Sequence, residues 1–120
     1  MSQKHTENST TKDSSLTFEE AQLQLDQWIA QFEEGYFPTL AQMARITEEV
    51  GELARAVSYA EGIKKPKEGE VIDEVIDELG DILLVLVCFA NAQKISLAEA
   101  FQRAFSKIEV RDKNRWTKKT

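Results

Sequence analysis

The sequence is poor in residues that break helices, cross-link chains or bind soft metals. Its 120 residues include 5 glycines, 2 prolines, 1 cysteine and 1 histidine. Such low glycine and proline content argues against a turn-rich all-β fold. A single cysteine excludes an internal disulfide framework. With His5 as its one histidine, the chain lacks the ligands of a typical zinc site and the Glu-x-x-His pairs of a di-iron bundle.

Long apolar runs and an excess of basic residues are also missing. The longest apolar run, from Ile82 to Ala90, is about half of the roughly 18–20 residues that a membrane span needs. The N-terminus has no apolar signal region, so we expect a cytoplasmic protein without a membrane partner. The net charge of −6 argues against a nucleic-acid polymer as partner, since such binders are usually basic.

What the sequence does contain is helical periodicity, from which we predict an all-α bundle of four main helices. Residues 1–15 are predicted to be a disordered tail, residues 16–116 one domain, and residues 117–120 a basic C-terminal tail. Capping boxes are expected at Thr17 with Glu20 and at Ser96 with Glu99. The predicted helices run from Thr17 to near Gly35, from a cap at Thr39 to about Glu61, from about Val71 to Gln93, and from Ser96 onwards.

Apolar residues at helical spacing predict which faces are buried. In the first helix Trp28 is expected in the core, and in the fourth helix the inward face is expected to comprise Leu97, Ala100, Phe101, Ala104, Phe105 and Ile108. The segment from Ile82 to Ala90 is apolar nearly all round, which indicates a helix enclosed by neighbours or by a second subunit. We therefore expect a homodimer or a dimer of dimers.

Acidic residues lie near both ends of the stretch from Arg45 to Asp81. Glu49 and Glu52 are three residues apart on the second helix and share a face, as do Glu78 and Asp81 on the third. If these helices pack side by side, four carboxylates converge. Two unit charges about 5 Å apart repel by roughly 3 kcal/mol at an effective dielectric constant of about 20, so such a cluster needs a cation unless water surrounds it.

Glu78 distinguishes a metal site from a solvated acidic surface. Its predicted neighbours on the third helix are the apolar residues Val71, Val75, Ile82 and Phe89, whereas Asp73 and Asp77 fall on the exposed side. A carboxylate on an apolar face is costly unless it is paired or coordinated. Oxygen ligands alone suit a hard cation, so Mg²⁺ is expected first and Mn²⁺ second.

The same residues carry a family resemblance. The acids form the pattern E-E-x-x-E, then a gap, then E-x-x-D, at Glu48, Glu49, Glu52, Glu78 and Asp81. This pattern resembles that of the MazG-like nucleotide pyrophosphohydrolases of the all-α NTP pyrophosphatase superfamily. The resemblance spans roughly Thr17 to Trp116. It includes the aromatic-proline loop before the second helix, the strings E-V-G-E-L-A-R-A and E-L-G-D-I-L, and S-L-A-E-A followed by K-x-x-x-R.

The resemblance implies an activity and a set of site residues. Glu49, Glu52, Glu78 and Asp81 would bind Mg²⁺, and a nucleoside triphosphate would be hydrolysed between its α and β phosphates to a monophosphate and pyrophosphate. Glu48, which is not needed as a ligand, is a candidate to orient or deprotonate the attacking water. The basic positions of the family correspond to Lys107 and Arg111, and Asn114 and Arg115 follow as further candidates for phosphate binding.

A different class of function is also consistent with the helices. The chain would then be a non-enzymatic module that dimerises through the segment from Ile82 to Ala90 and binds other proteins. This alternative predicts that replacing Glu78 by leucine is harmless or stabilising, and that Mg²⁺ leaves the melting temperature unchanged.

Overall fold

Four helices and no strands make up residues 15–120, the part of the chain that this computed structural model describes. The helices are α1 (Phe18–Ile29), α2 (Thr39–Ala60), α3 (Val75–Ala92) and α4 (Leu97–Arg111). The all-α prediction with four helices is confirmed. The predicted tail of residues 1–15 lies outside the described residues except for Ser15. None of the described helices is long and apolar enough to cross a membrane.

The starts of α1 and α4 are fixed by the predicted caps. The Thr17 hydroxyl accepts a hydrogen bond from the Glu20 backbone N–H at 3.1 Å, and the Glu20 carboxylate accepts one from the Thr17 N–H at 2.9 Å. The Ser96 hydroxyl accepts from the Glu99 N–H at 3.2 Å, but the return bond that would complete the predicted capping box is not formed among the described residues, and the Glu99 carboxylate pairs with Arg103 instead. The Thr17 and Ser96 hydroxyls both accept hydrogen bonds from backbone N–H groups that have no acceptor within the helix. This is why threonine and serine are common at helix starts.

The first helix is shorter than predicted. α1 ends at Ile29 rather than near Gly35, and the intervening residues form turns. Gly35 has φ of 64°, a left-handed conformation that glycine adopts without steric cost. The glycine therefore ends the turn segment instead of the helix.

Two predicted helix starts also differ. Thr39 is the first residue of α2 and not its N-cap. The N-cap position is occupied by Pro38, whose backbone is extended. The Thr39 hydroxyl instead accepts a hydrogen bond from Gln93 Nε2 at 3.1 Å. α3 begins at Val75 and not at Val71, because the chain is still extended at Glu74 (φ −78°, ψ 148°).

α3 is the central helix, with α2 packed along one side and α1 on another. The best-buried side chains are small or apolar residues of α2 and α3, namely Ala56, Val85, Val87 and Ala90. Two polar side chains, Gln42 and Glu78, are buried with them. The α2–α3 pair thus forms the core and presents a carboxylate within it.

A group of amide hydrogen bonds connects α1 to the turn between α3 and α4. We call this group, formed by Gln22, Asn91, Ile95 and Leu97, the Gln22 joint. Gln22 Nε2 donates to Asn91 Oδ1 at 3.0 Å and to the Ile95 carbonyl at 2.8 Å, while Gln22 Oε1 accepts from the Leu97 N–H at 2.9 Å. Asn91 Nδ2 donates back to the Gln22 carbonyl at 2.9 Å. One side chain thereby fixes the point from which α4 departs.

α4 packs on α1 and leaves most of its apolar face uncovered. Phe101 lies 5.9 Å from the Phe18 ring, yet Phe101, Phe105 and Ile108 are 51%, 44% and 44% exposed. Trp28 of α1 is 58% exposed. The prediction that these residues face the core is therefore wrong for a single chain.

The apolar segment of α3 is also only partly enclosed. Val85, Val87 and Ala90 are buried, whereas Leu83 and Leu84 are 51% and 52% exposed. Leu83 and Leu84 line an open groove between α1, α3 and the start of α4, which we call the apolar groove; its other apolar walls include Leu16, Phe18, Leu25, Trp28 and Leu97. One chain does not bury the surface that its own periodicity predicts to be buried.

Candidate metal centre

Two groups of three carboxylates share the buried Glu78. In the first, one oxygen each from Glu49, Glu78 and Asp81 lies within 4.8 Å of the others, and in the second the same holds for Glu52, Asp73 and Glu78. We call these the Glu49 triad and the Glu52 triad. The structure thus brings together all four residues that the sequence analysis proposed as metal ligands, together with a fifth carboxylate.

Helix geometry accounts for four of the five positions. Glu49 and Glu52 are separated by about one turn of α2, and Glu78 and Asp81 by about one turn of α3, so each pair projects from one face. Glu78 lies in the first turn of α3, where the positive end of the helix dipole favours a negative charge. Close packing of α2 on α3 brings the two pairs together.

Asp73 was predicted to lie on the exposed side of the third helix; its exposure is confirmed, but its place in a helix and its separation from the acidic cluster are wrong. It lies in the extended segment before α3 and reaches the Glu52 triad, although its side chain is largely exposed. The error follows from starting the helix at Val71, which placed Asp73 on the outer side of a helix. Periodicity assigns faces only inside a helix, so it carries no information about a residue that precedes one.

The electrostatics of Glu78 reflect the crowding of negative charge. A hydrogen bond with Asp73, followed by burial and the charges of Asp73, Asp81 and Glu52, raises the pKa of Glu78 from its ordinary 4.5 to about 7. Without a cation, one proton shared within the cluster relieves part of the repulsion. A bound cation would do the same and would favour the ionised carboxylate.

This raised pKa predicts that the metal-free protein loses stability as the pH rises from about 4.5 to about 7. In that interval folded Glu78 holds a proton that the unfolded chain has released, so stability falls with increasing pH. Mg²⁺ should oppose the fall by binding the ionised form. Melting temperatures between pH 4.5 and 8, in EDTA and in Mg²⁺, measure both effects.

The control for this pH dependence is Glu78→Gln, which removes the titrating group. The difference in melting temperature between wild type and variant should change in the interval between the two pKa values and level off outside it. A difference that does not vary with pH would contradict the assignment.

The proposed phosphate-binding residues lie on α4 and just after it, whereas the acids of the two triads lie on α2, on α3 and just before α3. Lys107 and Arg111 are exposed on α4, and Arg111 and Arg115 both pair with Asp112, at 2.9 Å and 3.4 Å. No hydrogen bond or ion pair in the described part of the chain joins Lys107, Arg111, Asn114 or Arg115 to the clustered acids. Glu48 is exposed on α2 and belongs to neither triad.

The donor set fits a hard divalent cation. All five clustered side chains supply carboxylate oxygens, and neither triad contains histidine or cysteine. Such ligands suit Mg²⁺ or Mn²⁺, whereas structural zinc sites rely on nitrogen and sulfur. Glu78 is the buried member of the group and belongs to both triads, so a cation between the acids would stabilise it most.

Comparison with known proteins places this geometry in a family. The model of the MazG nucleotide pyrophosphohydrolase domain matches residues 37–116. The chain belongs to the MazG family. The matched segment of this MazG protein contains both triads, Glu48 and the four basic or polar candidates on and after α4. Hydrolysis of nucleotides is thus the class of activity that its family supports.

Relatives with similar sequences agree with this assignment. YpjD of Bacillus subtilis strain 168 is 50% identical over 106 residues, which cover 88% of this MazG chain and 96% of YpjD. Its crystal structure matches with a TM-score of 0.69 at 49% identity, covering 77% of this chain and 94% of that one. The crystal structure of a Bacillus-conserved MazG protein, a nucleotide pyrophosphohydrolase, matches with a TM-score of 0.67 at 41% identity, covering 78% and 90%.

Proposed function

We propose that this MazG protein hydrolyses a nucleoside or deoxynucleoside triphosphate to the monophosphate and pyrophosphate, in a reaction that depends on Mg²⁺ and for which Mn²⁺ can substitute. The observation that carries this proposal is the convergence of two carboxylate triads on the buried Glu78 inside a MazG domain. A role in housekeeping of the nucleotide pool would follow from such an activity.

The carboxylates of the site have two roles, cation binding and activation of the attacking water. Glu49, Glu52, Glu78 and Asp81 hold the cation, and Asp73 joins them through the Glu52 triad. When bound, a divalent cation neutralises phosphate charge and lowers the pKa of a coordinated water. Glu48 is exposed one residue before Glu49, where it orients the attacking water or accepts its proton.

The cationic groups of α4 supply the phosphate contacts. Lys107 and Arg111 lie about one turn apart, and Arg115 follows beyond the helix end. Arg111 and Arg115 would exchange Asp112 for the charged oxygens of the substrate, and Asn114 adds a hydrogen-bonding amide. Such contacts stabilise charge that develops on the phosphates during cleavage.

A homodimer or a dimer of dimers is part of the proposal. The exposed apolar face of α4 and the apolar groove together form a surface that isolated soluble chains rarely leave uncovered. Because α4 makes no hydrogen bond or ion pair with the clustered acids of the two triads within residues 15–120, a partner's α4 is a natural source of the phosphate contacts.

Product analysis tests the activity. The protein is incubated with Mg²⁺ and a panel of normal and modified NTPs and dNTPs, and pyrophosphate is assayed separately from orthophosphate. We expect pyrophosphate and a monophosphate from at least one member of the panel, and none in EDTA. Absence of pyrophosphate with every substrate would reject the proposed function, and orthophosphate as the direct product would place cleavage at another bond.

Subunit complementation tests whether the site is shared. Glu78→Gln chains, which lack the metal site, are mixed with Arg111→Ala chains, which lack a phosphate contact. If the α4 of one subunit serves the acids of the other, random reassociation restores about a quarter of wild-type activity, because half of the dimers are mixed and each has one intact site. No recovery would place both residue sets of a working site in one chain.

A further inference from the structure

The loop between α2 and α3 is held to α2 by one carboxylate. Glu70 accepts hydrogen bonds from Arg55 Nη2, from the Lys67 backbone N–H at 2.8 Å and from the Tyr59 hydroxyl at 3.3 Å. We call this group, comprising Arg55, Tyr59, Lys67 and Glu70, the Glu70 anchor. Its bonds from Arg55 and Tyr59 are the side-chain hydrogen bonds by which Glu70 joins residues 61–74 to the preceding helix, and Lys64 of the same loop lies over the Tyr59 ring, 5.7 Å from its centroid.

The anchor is partly shielded from water. The side chains of Arg55 and Glu70 are 37% and 23% exposed, and the Arg55 guanidinium also lies over the Tyr59 ring, 5.1 Å from its centroid. The Lys67 N–H, with Tyr59 and Arg55, holds the pKa of Glu70 below its ordinary range. Charge-assisted bonds between partly buried groups are stronger than the exposed ion pairs of a mobile loop.

Both ends of the anchor lie next to the Glu52 triad in sequence. Arg55 follows Glu52 by three residues on the same helix, and Glu70 precedes Asp73 by three residues. The segment between Glu70 and α3 is not helical, Val71 within it is 82% exposed and Ile72 is half-buried, so side-chain burial holds the segment only in part. The position of Asp73 therefore depends on Glu70 on one side and the start of α3 on the other.

We propose that Glu70 is a positioning residue for the metal centre: by binding Arg55 and Tyr59 it holds the loop so that Asp73 reaches Glu52 and Glu78. This inference rests on the proposed metal role of the Glu52 triad. Glu70 itself contacts neither the cation nor the substrate. It acts as outer-shell partners of metal ligands do, by restricting the ligand to one geometry.

The test compares Glu70→Ala with Glu68→Ala, which removes an exposed carboxylate from the same loop. In metal-free protein we expect tryptic cleavage after Lys64 and Lys67, identified by mass spectrometry, to become faster in Glu70→Ala only, because loop opening governs cleavage. By calorimetry we expect its Mg²⁺ dissociation constant to rise by about 10–100-fold. Glu68→Ala should match the wild type in both measurements.

Two further variants separate positioning from a general loss of structure. Arg55→Gln, which keeps the stem of the side chain and removes its charge, should reproduce both effects. Tyr59→Phe should have a smaller effect because it removes only the 3.3 Å bonds. All variants should keep the helical circular dichroism of the wild type, since the anchor lies outside the α2–α3 core.

The outcomes distinguish this inference from the proposed function. A wild-type protein that binds no Mg²⁺ would reject the metal centre itself. If the wild type binds Mg²⁺ and Glu70→Ala binds it equally well, the positioning role is rejected and the metal centre stands. Unchanged cleavage after Lys64 and Lys67 in both Glu70→Ala and Arg55→Gln would reject the anchor.

Discussion

Replacing Glu78 by glutamine is expected to abolish catalysis and the response to Mg²⁺ while leaving the fold intact. Glu78 belongs to both triads, so its replacement removes one proposed ligand from each. Glutamine has nearly the same shape but carries no charge, so the metal-free variant has no carboxylate to ionise at this position, where the Asp73 hydrogen bond, burial and neighbouring charges raise the pKa of Glu78 to about 7. We expect turnover to fall by at least about 100-fold.

Melting temperatures show whether Glu78→Gln loses activity because it lacks the metal site or because it unfolds. In EDTA near pH 8, the melting temperature of Glu78→Gln should equal or exceed that of the wild type. Mg²⁺ should raise the melting temperature of the wild type alone, because a ligand stabilises only the state that binds it. A variant that retains both turnover and the Mg²⁺ response would refute the assignment.

Asp77→Asn is the matched control, since it also removes one carboxylate from the first turn of α3. Asp77 is exposed and belongs to neither triad. Its variant should keep wild-type turnover and Mg²⁺ response. Equal losses in Asp77→Asn and Glu78→Gln would instead indicate that total negative charge, and not the position of Glu78, governs binding.

The non-enzymatic alternative makes a different prediction. In that case Glu78→Leu is harmless or stabilising, and Mg²⁺ does not change the melting temperature.

The second large effect is expected from Phe105→Glu, which should convert the proposed oligomer to monomers. Phe105 is 44% exposed on the apolar face of α4, and a partner that covers this face would bury the new carboxylate. An unpaired buried charge costs about 3 kcal/mol or more. In a twofold interface the substitution occurs twice, so the dimer dissociation constant should rise by roughly 10⁴-fold.

Light scattering and sedimentation at micromolar concentration measure this change. Val110→Glu is the control because Val110 is 81% exposed on the same helix but lies off the face that contains Phe105 and Ile108. That variant should remain oligomeric and active. A wild type that is already monomeric at micromolar concentration, or a Phe105→Glu variant that remains oligomeric, would contradict the proposed interface.

The sequence predicted the helices and the main acidic cluster because both depend on local rules. The caps at Thr17 and Ser96 are short-range patterns of side chain and backbone, and the spacing of Glu49, Glu52, Glu78 and Asp81 is a property of helix geometry. Glu78 is buried as its apolar neighbours indicated. To predict these features it is enough to know that α2 packs on α3; no other contact between helices is needed.

Features that depend on loops and on partners were not predictable in the same way. Asp73 joins the cluster because of the path of an extended segment, and Glu70 is anchored to Arg55 by a contact across 15 positions of the chain. Periodicity correctly identified an apolar face on α4, with Phe101 and Phe105 among its members, but it does not say which molecule covers that face. The face was therefore predicted to be buried within the chain, whereas in the single chain it is exposed.

The Gln22 joint has a consequence for how activity depends on the amount of protein. α4 leaves the core at a point held by the hydrogen bonds of the Gln22 side chain, and beyond it the helix packs mainly on α1. A helix with so few buried contacts opens locally at a small free-energy cost. If a partner supplies the missing contacts, dilution loosens α4 and the phosphate-binding residues with it. Specific activity would then rise with protein concentration and reach a plateau, even though the carboxylate cluster is complete in every chain.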